Sequence, residues 1–268
     1  MCCTRTPARW RTTSASFLAW GLLVTCLLPS HATAQVNIES QRGAATGEGL
    51  SGTVNTDFEL RTGNVEHFRL GVGGRVDYQS GTTSSFLVGR WSLGFLGSTR
   101  FNNAGLVHLR TMFASRGRSV PEAYVQANYD EPRLLEFRAV AGAGARVPLV
   151  RRASLELWLG SGLMFEHERL ALPDTSSEPR RTSVFRQSWY LTGRAALSNH
   201  AAIMATAYAQ PRVVGAKDVR ILSEVSLDAS ISNTLSLTIE FSLRYDSQPP
   251  DEVKPLDTQL RNGIAVAF

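Results

Sequence analysis

Ser161 and four histidines are the residues of this sequence that could support nucleophilic catalysis. Ser161 lies within a Gly-Ser-Gly sequence, and the histidines beyond the first 34 residues are His67, His108, His167 and His200. An esterase serine normally occupies a tight turn between a strand and a helix, with a histidine within hydrogen-bonding reach. Here Ser161 lies inside a predicted strand, on the apolar face of that strand. None of the four histidines lies on an apolar face. We therefore expect no catalytic residues and no enzymatic activity.

Two groups of carboxylates could bind a cation through oxygen ligands. One is Glu166-His167-Glu168, and the other comprises Asp246, Asp251, Glu252 and Asp257. Successive residues of a strand point to opposite faces, so His167 cannot share one site with both glutamates unless the strand has ended. The first group fits a solvated rim and the second fits acids in a water-exposed loop, although such acids can also bind a divalent cation. We expect no metal site.

Glycine-rich stretches could contact a nucleotide, but their context argues against it. Residues 71–74 and 142–144 are each rich in glycine. Neither is followed by a predicted helix, and the third glycine of a dinucleotide fingerprint is missing. Glycines within strands more often relieve crowding or permit bending. The sequence therefore predicts no cofactor.

The cysteines and the distribution of charge exclude further classes of protein. Cys2, Cys3 and Cys26 all lie in the first 26 residues, which leaves the rest of the chain without a disulfide, a cysteine zinc site or a thiol nucleophile. The net charge of +5 falls to +2 once the three arginines of the first eleven residues are removed. No basic tract or basic helix stripe remains, so we expect no nucleic-acid partner.

Residues 1–34 have the organisation of a cleaved secretory signal peptide. Three arginines precede an apolar segment from Phe17 to Leu28, Pro29 ends it, and Ala32-Thr33-Ala34 supplies small residues at the cleavage site. The apolar segment is shorter than the ~20 residues of a membrane-spanning helix. Thr25 stands before Cys26 where a lipoprotein would carry a small residue. We predict cleavage after Ala34 and export of the remaining chain.

The rest of the chain alternates apolar and polar residues rather than following a helical period. Twelve such runs extend from Leu50 to Phe268, and in none of them does a charged residue fall on the apolar register. Most runs approach the ~10 residues that a strand needs to cross a bilayer, which is longer than the usual strand of a soluble sandwich. We predict an all-β, antiparallel transmembrane barrel of about twelve strands over residues 50–268, preceded by a short periplasmic tail over residues 35–49.

The predicted connections support this topology. The long gaps, Leu170 to Arg181, Ser247 to Pro255, Leu96 to Asn103 and Val213 to Val219, all follow odd-numbered runs. Connections after odd strands lie at the end opposite the termini, where outer-membrane barrels carry their longer loops. The eighth run is predicted to begin at Trp189, and the alternation in residues 182–188 before it is weak. A barrel of ten or fourteen strands is therefore also compatible with the sequence.

Three features of residues 50–268 resemble the salt-induced outer-membrane protein family, a family catalogued as a domain of unknown function. They are the early turn with Gly63 and Asn64, the late segment with Tyr245, Asp246, Pro249, Pro250 and Asp257, and the closing strand that ends in Phe268. The resemblance implies an exported barrel in the outer membrane of a Gram-negative bacterium and no established substrate. An aromatic C-terminal residue also resembles the signal that the outer-membrane assembly machinery recognises. Expected partners are therefore that machinery and outer-membrane lipid.

The inward-facing register carries nearly balanced charge, and almost every cation on it is an arginine. We predict that the lumen is lined by Arg69, Arg75, Glu136, Arg138, Arg194, Glu240 and Arg244, among others. The rigid guanidinium fork suits pairing with carboxylates, so one interpretation is a stiff, largely plugged structural barrel. A second is a narrow porin-like channel for small polar or anionic solutes. A third is an adhesive barrel that acts through its outer loops.

Overall fold

The computed structural model describes residues 48–63, 66–113, 118–215, 217–251 and 253–267. The predicted signal peptide, nearly all of the predicted tail, Asn64 and Phe268 therefore lie outside the described residues. Twelve strands are present in this part of the chain: β1 (Gly49–Arg61), β2 (His67–Ser80), β3 (Thr83–Leu96), β4 (Thr99–Phe113), β5 (Val120–Asp130), β6 (Leu135–Arg152), β7 (Leu155–Leu170), β8 (Arg181–Ala196), β9 (Ala201–Pro211), β10 (Val219–Ser230), β11 (Leu235–Asp246) and β12 (Leu256–Ala267). A single 3₁₀ turn, Glu131–Arg133, follows β5. None of the described helical segments is long and apolar enough to span a membrane.

The strands form one closed antiparallel barrel in which every strand pairs with its sequence neighbours. The first and last strands close it, with Thr53 opposite Ala267 and Thr56 opposite Ile264. Closure gives every strand a paired neighbour on each side, although the register between β1 and β12 covers only four residue pairs. The prediction of an all-β, twelve-stranded antiparallel barrel is confirmed.

The alternation of the sequence separates the two faces of this sheet. The apolar residues assigned to the outer register point away from the lumen, as the exposure of Phe58 (62%), Val125 (52%) and Leu260 (71%) shows. Polar and charged residues between them point inward, and Arg138, Glu166 and Asp246 are almost completely buried. The buried interior is thus largely polar, and the exposed wall is apolar.

Two strands begin earlier than the sequence indicated. The gap predicted from Leu96 to Asn103 is wrong, because Gly97, at φ +58°, makes a tight turn and β4 begins at Thr99. The eighth strand begins at Arg181 rather than Trp189. Both extensions contain polar residues that resemble a loop in sequence. Within the barrel they find partners: the Asn102 amide, for example, donates to the Ser92 hydroxyl at 3.0 Å.

A β-bulge near the start of β6 changes the face of two residues. The pairing with β7 shifts between Leu135 and Phe137. As a result Leu135, predicted on the outer face, is only 1% exposed. Glu136, predicted in the lumen, is instead exposed and pairs with Arg169 at 2.7 Å. A bulge adds one residue to the strand, so the simple alternation fails at this point.

The lumen also contains apolar side chains, most of which the alternation assigned to neither face; Tyr208 is the exception, because the alternation predicted it on the inner face. Phe86 and Val88 point inward and pack with Leu106 and Met112. A second buried cluster is formed by Tyr190, Tyr208 and Leu222. The unbroken apolar sequence from Phe86 to Val88 was the available signal, since a strand with apolar residues on both registers is buried on both sides.

Candidate functional site in the barrel lumen

Glu166 on β7 is the centre of a buried network of ion pairs, which we call the Glu166 network. Its carboxylate accepts hydrogen bonds from Arg138 Nε at 2.8 Å, Arg186 Nε at 2.9 Å and Arg220 Nη1 at 2.6 Å. These arginines belong to β6, β8 and β10, so one carboxylate ties four strands together. All four side chains are at most 4% exposed.

Three further carboxylates complete the Glu166 network. Glu168 accepts from Arg220 through both oxygens, at 2.8 and 2.9 Å. Asp246 accepts from Arg220 Nε at 2.5 Å, and Asp218 forms a two-pronged pair with Arg186 at 2.7 and 2.9 Å. Arginine presents its donors in a planar fork that matches the two oxygens of a carboxylate, which explains why no lysine occurs here.

Other ion pairs cross the lumen between strands that are far apart in the barrel. Arg133, in the turn after β5, pairs with both Asp130 and Asp257, and Asp257 belongs to β12. Arg90 on β3 reaches Glu240 on β11 at 3.4 Å and Glu224 on β10 at 3.8 Å. β3 and β10 lie nearly opposite each other in the closed strand order. These contacts therefore obstruct the lumen.

Aromatic side chains fill the interior beside these pairs. Tyr190 on β8 donates a hydrogen bond to Glu122 on β5 at 2.8 Å. Glu122 lies 3.5 Å from Arg110, whose guanidinium is 4.8 Å from the centre of the Tyr124 ring. Arg75 is stacked on Phe86 at 3.8 Å. A cation over an aromatic face is stabilised without a fully charged partner.

One side of the lumen keeps open space. A cavity of about 470 Å³ lies between β2–β5 and β11–β12, and we call it the arginine cavity because five arginines line it: Arg69, Arg90, Arg133, Arg244 and Arg261. Neutral polar residues, among them Asn102, Asn128 and Gln259, line it as well. The volume lies within the range of small-molecule sites in proteins.

Most of the predicted lumen residues face the interior, but their surroundings differ. Arg138 and Glu240 are buried in ion pairs, whereas Arg75 pairs with Asp77 and stacks on Phe86. Arg69 and Arg244 line the arginine cavity. Arg194 has the inward register but is exposed near the end of β8. Glu136 is the exception, since the bulge described above places it outside.

The catalytic and metal-binding candidates of the sequence are not brought together. Ser161 lies in the middle of β7, opposite Trp189, which is exposed on the outer surface. His167 contacts the Ser183 hydroxyl at 2.8 Å and points away from Glu166 and Glu168. The interpretation of these two glutamates as a solvated rim is wrong, because both are buried in the Glu166 network. In the described ranges no three His, Cys, Asp or Glu residues form a group that could hold a metal ion.

Sequence reasoning missed several members of the Glu166 network. Arg186 and Arg220 fell in segments assigned to loops or weak patterns, and Asp218 lies in the connection that precedes β10. Counting back two residues at a time from Glu224, a predicted inward residue, would have placed Leu222 and Arg220 on the inner face. No pattern in the sequence predicts which residues contact each other across the lumen.

Two acids of the late segment, Asp246 and Asp257, form ion pairs in the lumen. Asp246 pairs with Arg220 and also accepts the backbone N–H of Gln248 at 2.9 Å. Asp257 holds Arg133 across the loop end of the barrel. Pro249 and Pro250 between them are buried, whereas Tyr245 points outward between Ile221 and Leu256. Gly63 of the early turn has φ +106°, a conformation that favours glycine.

A profile of the DUF481 family, described as a protein of unknown function, matches residues 43–268. The chain belongs to this family. The DUF481 match covers the whole barrel, including the arginine cavity and the Glu166 network. No curated protein matches the sequence.

Solved structures that resemble this DUF481 barrel are distant in sequence. The translocator domain of autotransporter NalP from Neisseria meningitidis is 14% identical, with 84% of this chain and 90% of that one covered and a TM-score of 0.45. The NanC porin is 8% identical, with 81% and 99% covered and a TM-score of 0.48. An anion-selective porin from Comamonas acidovorans is 10% identical, with 82% and 98% covered and a TM-score of 0.37. Such low identities do not extend the activity of these proteins to this chain.

Proposed function

We propose that this protein is a non-enzymatic outer-membrane β-barrel with a structural role, whose lumen is closed by its own side chains. The ion pairs from Arg90 to Glu240 and from Arg133 to Asp257, which cross the lumen, carry the proposal. The Glu166 network fills the opposite side, and the apolar cluster around Phe86 and Val88 occupies further space. A solute passing through would have to break contacts between charges that are already desolvated.

The location follows from the two faces of the sheet. An apolar outer wall suits lipid, and barrel closure satisfies the backbone groups that hydrocarbon would leave without partners. We propose that the chain is exported after cleavage of residues 1–34 and inserted into the outer membrane of a Gram-negative bacterium. The family that the sequence resembles, the salt-induced outer-membrane proteins, is consistent with this location, and membership in that family is part of the proposal.

A narrow channel for small polar or anionic solutes is the second candidate function. The arginine cavity favours it, because about 470 Å³ of space lies beside Arg69 and Arg244 on one side of the lumen. A narrow pore would need the bridge from Arg133 to Asp257 to open. Conduction through it would show a preference for anions, because arginines dominate its charged lining.

Conductance in planar bilayers tests the proposed closed lumen. We expect the purified mature protein to give no stable single-channel steps across a wide range of voltage, because ion pairs and apolar packing obstruct the path. Insertion must be verified in the same membranes by protease protection. Steady steps whose size follows the salt concentration would contradict the closed lumen, and a preference for anions among them would support the narrow channel instead.

Fractionation of cells that express the protein tests the proposed location. We expect it in the outer-membrane fraction and expect it to resist extraction by carbonate, because a closed barrel is integral to the bilayer. A chain without Phe268 should accumulate unassembled, if the aromatic terminus is the signal for assembly. Deletion of a residue from the connection at 171–180 provides a control of equal size. Recovery of the intact chain in a soluble fraction would refute the location, and normal insertion without Phe268 would refute the assembly signal alone.

A further inference from the structure

Arg244 differs from the other arginines of the cavity in having no partner among the described residues. It lies on β11 opposite Leu222 of β10 and Asp257 of β12. No carboxylate of the described ranges lies within ion-pair distance of it, although Asp257 is its register neighbour. Its Nε is buried and makes no hydrogen bond within the part of the chain that the structure describes. A half-buried guanidinium without an ion-pair partner is unfavourable, so it indicates a place that a mobile anion would occupy.

The carboxylates around the arginine cavity are engaged by other arginines. Asp257 and Asp130 both pair with Arg133. Glu240 accepts a hydrogen bond from Arg261 at 2.7 Å and lies 3.4 Å from Arg90. Arg133 and Arg261 repel Arg244, whereas Asp130 and Glu224 attract it from beyond ion-pair distance and are themselves paired with Arg133 and Arg90. Arg244 therefore receives only part of the local charge compensation, in a cavity whose lining carries more arginines than carboxylates.

Arg261 is a second arginine of this cavity whose hydrogen-bond donors are not all used by the described residues. Arg261 donates through Nη2 to Glu240, but its Nε is buried and has no hydrogen-bond partner. Arg69 lies 4.0 Å from Asp57, which is the limit of an ion pair. Arg244 and Arg261 thus offer donor groups that no described residue uses, and Arg69 adds a weakly compensated charge.

We propose that the arginine cavity binds a small oxyanion, a solute bearing a carboxylate or phosphate group, with Arg244 as its main ligand and Arg261 as a second donor. Planar guanidinium groups bind such groups through paired hydrogen bonds, which a spherical halide cannot reproduce. Neutral polar residues of the lining, such as Asn102 and Gln259, are suited to hydroxyl groups on the same solute. A cation would face five arginines, and an apolar solute would leave the buried donors unsatisfied.

In this proposal, the ion pair between Arg133 and Asp257 lowers the affinity of the cavity for the anion. Both residues line the cavity on its loop side, and the Asp257 side chain is 50% exposed. Its carboxylate competes with an anionic solute for Arg133 and repels the solute at the mouth. Neutralising Asp257 should therefore strengthen binding, whereas neutralising Arg244 should weaken it. A general effect of charge would give the same two signs, so the test also needs a variant that removes an arginine outside the cavity.

Calorimetric titration of the mature protein in detergent tests the site, with inorganic phosphate and citrate as probes and sodium chloride at matched ionic strength as the reference. We expect saturable binding of at least one oxyanion and none of chloride. Arg244→Gln should weaken binding by about tenfold or more, because a charged hydrogen-bonding partner is lost. Asp257→Asn should strengthen it. Binding does not depend on conductance, so this result is separate from the test of the closed lumen.

Arg194→Gln is the matched control, because it removes one arginine from the inward register outside the cavity lining. We expect it to bind phosphate and citrate as the unaltered protein does. The proposal is overturned if neither probe binds saturably, or if Arg194→Gln and Arg244→Gln weaken binding equally. Heat-modifiable migration in electrophoresis reports whether each variant is folded. Should Arg244→Gln not fold, Asp257→Asn decides: tighter binding supports the site, and unchanged binding overturns it.

Discussion

Replacing Arg220 by glutamine is expected to lower the free energy of unfolding by about 3–5 kcal/mol, because it removes the cation that three buried carboxylates share. Arg220 is the partner of Glu166, Glu168 and Asp246, and its side chain is 4% exposed. Glutamine keeps a polar end but cannot supply a charge or the guanidinium fork. Equilibrium unfolding in urea, with the protein in lipid vesicles, measures the change.

Arg194→Gln again provides the matched control, since this arginine is exposed on the same inward register. We expect a change below about 1 kcal/mol, as for most exposed charges. A combined replacement of Arg220 and Glu168 by apolar residues should recover part of the loss, because Glu168 is then no longer a buried charge deprived of its two-pronged partner, although Asp246 still loses Arg220. Equal stability of Arg220→Gln and Arg194→Gln would show that the Glu166 network does not hold the barrel together.

Removing the pairs that cross the arginine cavity is expected to change a silent barrel into a conducting one. The variant carries Arg90→Ser with Glu240→Ser, and Arg133→Ser with Asp257→Ser. Each pair is removed as a unit, so the net charge stays constant. Arg90, Arg133 and Asp257 line the existing cavity, so removing the two pairs extends free space that is already present. We expect discrete single-channel steps in planar bilayers where the unaltered protein gives none.

An exposed pair at the end of β1 supplies the control for this variant. Arg61 and Glu59 lie 2.8 Å apart, with side chains 68% and 41% exposed. Their joint replacement by serine changes composition and charge in the same way but removes no contact across the lumen, so the barrel should stay silent. A folded quadruple variant that also stays silent would show that the Glu166 network and the apolar cluster around Phe86 suffice to close the lumen.

The twelve-stranded barrel could be predicted from the residue pattern alone. Alternation over long runs placed Val54, Phe58 and Leu260 outside and Arg138 and Asp246 inside, because the side chains of a strand point alternately to its two faces. The absence of charge from the apolar register distinguished a barrel from a soluble sandwich. The alternation failed where a bulge interrupts it, and Leu135 and Glu136 are therefore on the opposite face from the one predicted.

The tertiary structure alone decided which inward charges meet. Alternation assigns a residue to a face but gives neither its position around the barrel nor its height along the axis, which depend on closure and strand stagger. Arg90 and Glu240 are 150 residues apart in sequence and become partners only when β1 pairs with β12. The same closure leaves Arg244 without an ion-pair partner among the described residues, in a chain of nearly balanced charge. The sequence therefore specified a charged lumen, and the fold determined which ion pairs cross that lumen and which arginine stays outside them.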